Sequence, residues 1–179
     1  MADLKERIVR ACKLDAVLYE EVEADRQANG QAMTVVVLSS VAGGVATLSH
    51  GGILGIVIGS LLALMGWYVW AYLTYLIGTR LLPQQGTRAD LGQLLRTTGF
   101  ASSPGLLRVL GLIPGVTGIV FFVISIWMLL AMIIAVRQAL DYTGTLRALG
   151  VCVIGWLVQG AILAIMLYFL GVPAVGIRV

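Results

Sequence analysis

GTRLLPQQGTRADLGQLLRTTGFASSPGLLRVLGLIPGVTG, residues 78–118, decides how this chain is folded. It holds three of the four prolines and the arginines 80, 88, 96 and 108. Strong apolar blocks lie on both sides of it. Whether its second half crosses a bilayer fixes the number of passes.

The surroundings are those of a membrane protein. Of 179 residues, 59% are hydrophobic and 12% charged, about half the charge of a soluble domain. The net charge of +3 is not gathered on a soluble surface, so nucleic acid is not an expected partner. Cys12 and Cys152 fall in different segments without CxxC spacing and read as free thiols. No apolar leader precedes residue 30, so no cleaved signal peptide is expected.

Working outward, residues 1–30 read as one amphipathic cytoplasmic helix. Leu4, Ile8, Ala11, Leu18 and Val22 form its apolar stripe, Asp15 interrupts that stripe, and Asn29-Gly30 is the expected stop. Such a helix is expected to pack on its own protein rather than on lipid, because its charge is polarised and not uniformly basic. Its acids Glu20, Glu21, Glu23 and Asp25 are expected to face the arginines of the later loops. A membrane domain over 31–172 follows, with apolar spans at about 32–48, 52–78, 116–136 and 148–170. Residues 173–179 form a short outer tail. Gly51, Gly55, Gly59 and Ala63 make a small-residue ridge, expected to serve an internal helix contact or self-association.

The remaining candidate span, 97–113, is short, is broken by Pro104 and carries Arg108. An arginine at the centre of a span costs about 2.5–3.5 kcal/mol on insertion scales. Charge placement nevertheless favours counting it. With five spans, Arg80, Arg88, Arg96, Arg137 and Arg147 share one side with the N-terminus, and the opposite links carry no formal charge. The positive-inside rule then puts the N-terminus in the cytoplasm and the C-terminus outside. Arg108 is expected near the outer end, holding the short helix in place.

No chemistry is legible. No acid lies in any expected span, as ion-coupled carriers usually require. His50 is the single histidine, and neither a catalytic nor a metal-binding role is expected of it. No nucleophile triad, zinc motif or phosphate loop occurs. The expectation is a non-enzyme without cofactor or metal.

Gly99-Phe100-Ala101-Ser102-Ser103-Pro104 resembles the Gly-Tyr-x-x-x-Pro motif of the Yip-one family, the Ypt/Rab-interacting membrane proteins. The run from GTRLL to GLIPG and the block IWMLLAMIIAVRQALDYTGTLRAL look like its prokaryotic members. The resemblance covers about 32–170. It implies an all-α domain of five transmembrane helices, a cytoplasmic N-terminal region and an outer C-terminus, in a prokaryotic cytoplasmic membrane. It also implies partners among other membrane proteins, or self-association, within the lipid bilayer. Phe100 stands where the family has tyrosine. The Asp-Leu-Tyr-Gly-Pro motif of eukaryotic members is missing, so the resemblance does not extend to a Rab-type GTPase. The expected function is a non-enzymatic membrane scaffold or adaptor. The alternatives are a small transporter or permease accessory subunit, and a bilayer-shaping or lipid-binding protein.

Overall fold

The computed structural model describes residues 3–46, 48–84, 86–87 and 89–169. Arg88, Arg178 and the tail 173–179 lie outside the described residues, as do the surroundings of His50 and Gly51. The described chain is all-helical: α1 (Leu4–Cys12), α2 (Ala16–Ala24), α3 (Ala28–Ala46), α4 (Leu48–Leu76), α5 (Leu91–Phe100), α6 (Thr117–Ala139) and α7 (Thr145–Phe169). A π-turn over Ile77–Leu81 extends α4, and a 3-10 segment, Ser103–Leu112, follows α5.

Among the described residues, four stretches are long and apolar enough to cross a membrane: Ala28–Ala46, Gly52–Leu81, Thr117–Ala139 and Thr145–Met166. Their outer faces expose Ile53, Leu61, Met65, Phe122 and Leu157. Bare apolar surface of this extent requires an apolar solvent, which marks a membrane-embedded protein.

The N-terminal region differs from the single helix expected. It is a hairpin of two short helices. Leu14 takes φ 60°, and Asp15 caps α2 by accepting a hydrogen bond from the Val17 amide at 3.0 Å. The polar residue that interrupted the apolar stripe is thus the residue that starts the second helix. Ala11, Leu18, Tyr19 and Val22 are still buried together, because the turn folds both halves of the stripe onto one surface. The expected stop at Asn29-Gly30 is also absent. The turn before α3 comes earlier, where Asp25 accepts from the Gln27 amide, and α3 runs through Gly30. Burial of Ala28, Ala32 and Val35 outweighs the ~1 kcal/mol cost of a helical glycine.

The stretch 91–112 does not form one proline-broken helix over 97–113. Asp90 and Gln93 form a reciprocal capping box, with bonds of 2.8 Å and 2.5 Å, that starts α5 at Leu91. The helix ends at Phe100, and Pro104 opens the 3-10 segment. There its missing amide is one that no helical carbonyl needs.

From there the chain runs alongside α3, in the same direction. A Cβ on Gly99 would sit 2.7 Å from Ala32, on Gly105 1.9 Å from Ser39 Oγ, and on Gly111 3.4 Å from Ala46. Arg108 Cδ lies against Gly43. In a 3-10 helix residues three apart eclipse, so Gly105, Arg108 and Gly111 share the face turned to α3. The rise explains the register. From Ala32 to Ala46 α3 climbs roughly 21 Å at 1.5 Å per residue. The shorter run from Gly99 to Gly111 keeps pace because a 3-10 helix climbs about 2.0 Å per residue. On its other side the segment meets α6 in reverse order, Gly105 against Met128 and Gly111 against Phe121.

Helices α4 and α6 both run opposite to α3, and α7 runs opposite to both. The turn between α3 and α4 uses Gly52 at φ 59°, and Gly44 then meets Ile56 closely. Helix α7 returns beside α4, with Gly155 on Trp70 and Gly150 near Leu82.

Candidate functional site

Two places concentrate the polar side chains of this apolar bundle. One is the end where the arginines gather. The other is a cavity towards the opposite end.

At the first end, the loops after α4 and α6 are tied together. The Tyr142 hydroxyl lies 3.1 Å from the Gly78 carbonyl and 2.7 Å from that of Leu82 and donates to this pair. Gln84 donates to Thr143 Oγ1 at 2.8 Å, and Arg147 donates to the Pro83 carbonyl at 3.0 Å. Arg137 Nε donates to the Tyr142 carbonyl at 3.3 Å, while Arg80 is exposed. Arg80, Arg96, Arg137 and Arg147 therefore stand at one end of the bundle.

Arg96 is the exception among them, being only 4% exposed. Its Nε donates to the carbonyls of Val22 (2.9 Å) and Glu23 (3.1 Å), its Nη2 to Glu23 again, and its Nη1 to Asn29 Oδ1 at 3.4 Å. These carbonyls belong to the last turn of α2, where a helix leaves acceptors unsatisfied. One guanidinium closes that end and joins the hairpin to α5.

The expected pairing of N-terminal acids with loop arginines does not occur among the described residues. Asp25 pairs with Arg7 at 2.7 Å, and Asp15 and Glu21 both pair with Arg10 at 2.7 Å. Those neighbouring arginines hold the three carboxyls below the usual range. The hairpin itself places Arg7 and Arg10 within reach of these three carboxylates. Glu20 and Glu23 instead accept from amides, Gln138 at 2.7 Å and Gln93 at 2.8 Å. Partial burial, then the like charge of Asp141, pushes the Glu23 carboxyl up to about 7, against the pull of Arg96.

The cavity lies between α3, α4, the 3-10 segment, α6 and α7, with a volume of about 610 Å³. That is within the size range of small-molecule sites. Trp67, Trp70, Trp156, Phe121, Met128 and Met132 supply most of its apolar wall. Trp67 Nε1 is 3.2 Å from both the Leu95 carbonyl and Thr98 Oγ1, and Trp70 Nε1 points to Met132 Sδ at 3.2 Å, so these indoles are anchored. Ser39, Ser40, Ser102, Ser125 and Gln159 are its neutral polar groups, and Arg108 is its charge. No aspartate or glutamate lines it. Arg108 Nε is buried without a hydrogen-bond partner, and the guanidinium carbon lies 5.5 Å from the Phe121 ring centroid.

Comparison of the chain with protein-family models, with curated proteins and with solved structures gives no match.

The sequence motif residues are distributed as follows. Gly99 is a close-contact residue against α3, and Phe100 is fully buried among Leu18, Tyr19, Val22 and Ala32. Pro104 is buried at the start of the 3-10 segment, and Arg108 enters the cavity. The ridge on α4 divides. Ala63 lines the cavity, whereas a Cβ on Gly55 or Gly59 would meet nothing within 4 Å. The internal contact expected of those two glycines is therefore not made. The internal work falls to Gly99, Gly105 and Gly111, spaced by six. A small-xxx-small search passes over that spacing because it suits a 3-10 face rather than an α face. The clasp of Arg96 carried one local signal, the Asp90-x-x-Gln93 box that places Arg96 inside a helix.

Proposed function

We propose that the chain is a non-enzymatic, multi-pass membrane scaffold of the Yip-one type that associates with itself or with another membrane protein complex. In this reading the 91–112 stretch is a fifth pass, supported by its step-for-step course beside α3. The arginine end is then cytoplasmic, by the positive-inside rule, and the C-terminus lies outside. The membrane is a prokaryotic cytoplasmic membrane.

One observation carries the association. Inside the chain, glycines mark the close helix contacts at 44, 99, 105 and 155, yet Gly55 and Gly59 on α4 face open space. Small residues four apart let a second helix approach closely.

The test uses single cysteines at 55 or 59, with Cys12 and Cys152 replaced by serine, cross-linked in native membranes. Dimers, or a defined adduct with one membrane protein, are expected. Strictly monomeric protein in those membranes would sink the scaffold reading. The pass count is tested separately with an impermeant maleimide on cysteines at 87 and 115. Labelling from the same side would remove the fifth pass.

A further inference from the structure

We propose that the cavity is a binding site for an anionic lipid, a singly charged oxyanion on an apolar tail, and that Arg108 receives the oxyanion. This goes beyond the scaffold reading and does not depend on it.

The argument starts from charge. A guanidinium offers five N–H donors. Among the described residues Arg108 forms no ion pair and donates no hydrogen bond, and its Nε is buried. Its contact with Phe121 satisfies the charge through the ring face but uses none of the donors. No acid lines the cavity to balance it. Charge-assisted bonds from an arginine fork to a phosphate or carboxylate are the strong pairing missing here.

The remaining wall selects what the oxyanion is attached to. Beyond Arg108 the surface is indole, thioether and aliphatic, and methionines adapt to a flexible chain. The site is elongated. Arg108 lies at the level of Gly43, whose neighbour Gly44 meets Ile56 of α4. Gln159 lies near Gly66, ten residues further along α4 and hence roughly 15 Å away. A charged end followed by a mainly apolar wall suits a charged headgroup followed by an acyl chain. Access points the same way. Trp156 is 62% exposed and Ser125 is exposed, both on the lipid-facing side. The cavity thus opens sideways to hydrocarbon, through which a soluble anion does not approach.

The experiment uses the full chain in a neutral maltoside detergent. Three of its four tryptophans line the cavity, so phosphatidylglycerol with brominated acyl chains reports binding by quenching. Native mass spectrometry counts the retained lipid. Saturable quenching and retention of one phosphatidylglycerol are expected. The phosphatidylcholine of the same chains and inorganic phosphate are expected to bind at least tenfold more weakly. Oleate bound in competition supports the same site with a carboxylate as oxyanion. Arg108→Gln should weaken phosphatidylglycerol roughly tenfold or more, the scale of one charge-assisted pair, whereas Arg147→Gln at the opposite end should not. Because Arg108 also packs on Gly43, Ala63→Phe provides a second variant, which fills the cavity with the arginine intact and should displace the lipid. Equal binding of phosphatidylcholine, competition by inorganic phosphate as strong as that by lipid, or unchanged binding in both variants would overturn the proposal.

Discussion

Arg96 Nε donates to the Val22 carbonyl at 2.9 Å across 74 residues of sequence. The arginine closes the end of α2 from another helix, and it is buried while doing so. Replacement by lysine keeps the charge but loses the planar fork that reaches two carbonyls and Asn29 at once. Leaving buried carbonyls unpaired costs about 1–3 kcal/mol each. Arg96→Lys is therefore expected to lower stability by about 2–3 kcal/mol and to expose the hairpin to trypsin at Lys13 and Arg26. Unchanged cleavage kinetics there would show that the clasp holds nothing in place.

Glu23 gives that clasp a pH dependence. Its carboxyl ordinarily titrates at 4.5 and is pushed up to about 7, by partial burial first and then by Asp141, with Glu20 and Asp90 adding and Arg96 opposing. A carboxyl raised in the folded state binds its proton more tightly there than in the unfolded chain. Its stabilising contribution is present in full below 4.5 and is lost as pH rises through about 7. The lowered carboxyls of Asp15, Glu21 and Asp25 act in the opposite sense and below their ordinary values, so the window from 4.5 to 7 isolates Glu23. Hydrogen exchange of the α2 amides should speed up across that window beyond its intrinsic pH trend. Glu23→Gln, which keeps an acceptor for Gln93, should flatten the excess. Identical profiles for the two proteins would exclude Glu23 as the titrating group.

Which parts of this were legible beforehand follows from the range of the forces. The apolar spans were, because sustained hydrophobicity over some twenty residues has one common solution in a bilayer. Their ends agree with α3, α4, α6 and α7 to within four residues. The gathering of Arg80, Arg96, Arg137 and Arg147 at one end was legible as well, while Arg88 lies outside the described residues. The hairpin was not, since Asp15 serves an apolar stripe poorly and a helix start well, and only the contacts of Leu18, Tyr19 and Val22 decide between the two. The course of 91–112 was missed for a related reason. Pro104 reads as a break inside an α-helix, whereas the close fit of Gly105 to Ser39 holds a 3-10 segment that sequence periodicity does not announce. At the cavity, Arg108 stood out as a charge in apolar surroundings. The four serines and three indoles around it did not, because they come from four helices and the turn at Ser102.

Tyr142 ties the two loops at the arginine end, its hydroxyl reaching the carbonyls of Gly78 and Leu82. Tyr142→Phe keeps the ring in its buried place and removes only those bonds. A loss of about 1–2 kcal/mol is expected, with faster proteolysis in residues 82–87. Unaltered melting and proteolysis would mean that Gln84, Thr143 and Arg147 hold the loops without it.

The fit of Gly105 against Ser39 separates the two kinds of glycine in this chain. A Cβ at Gly105 would lie 1.9 Å from Ser39 Oγ and 3.1 Å from Met128 Sδ, with α3 on one side and α6 on the other. Helix α3 cannot withdraw without opening the Ala32 and Ala46 contacts on either side, nor α6 without opening the contact of Gly111 with Phe121. Gly105→Ala should therefore destabilise by about 1–3 kcal/mol, the usual cost of overpacking. Removing the facing side chain with Ser39→Gly should restore much of that loss, which a general dislike of alanine in a 3-10 segment would not allow. Gly55→Ala makes the same chemical change where nothing lies within 4 Å, so it should leave the melting temperature of the isolated chain in detergent unchanged. Equal losses at positions 105 and 55, or no recovery in the Gly105→Ala/Ser39→Gly pair, would show that the run from Gly99 to Gly111 is not held by this contact ladder.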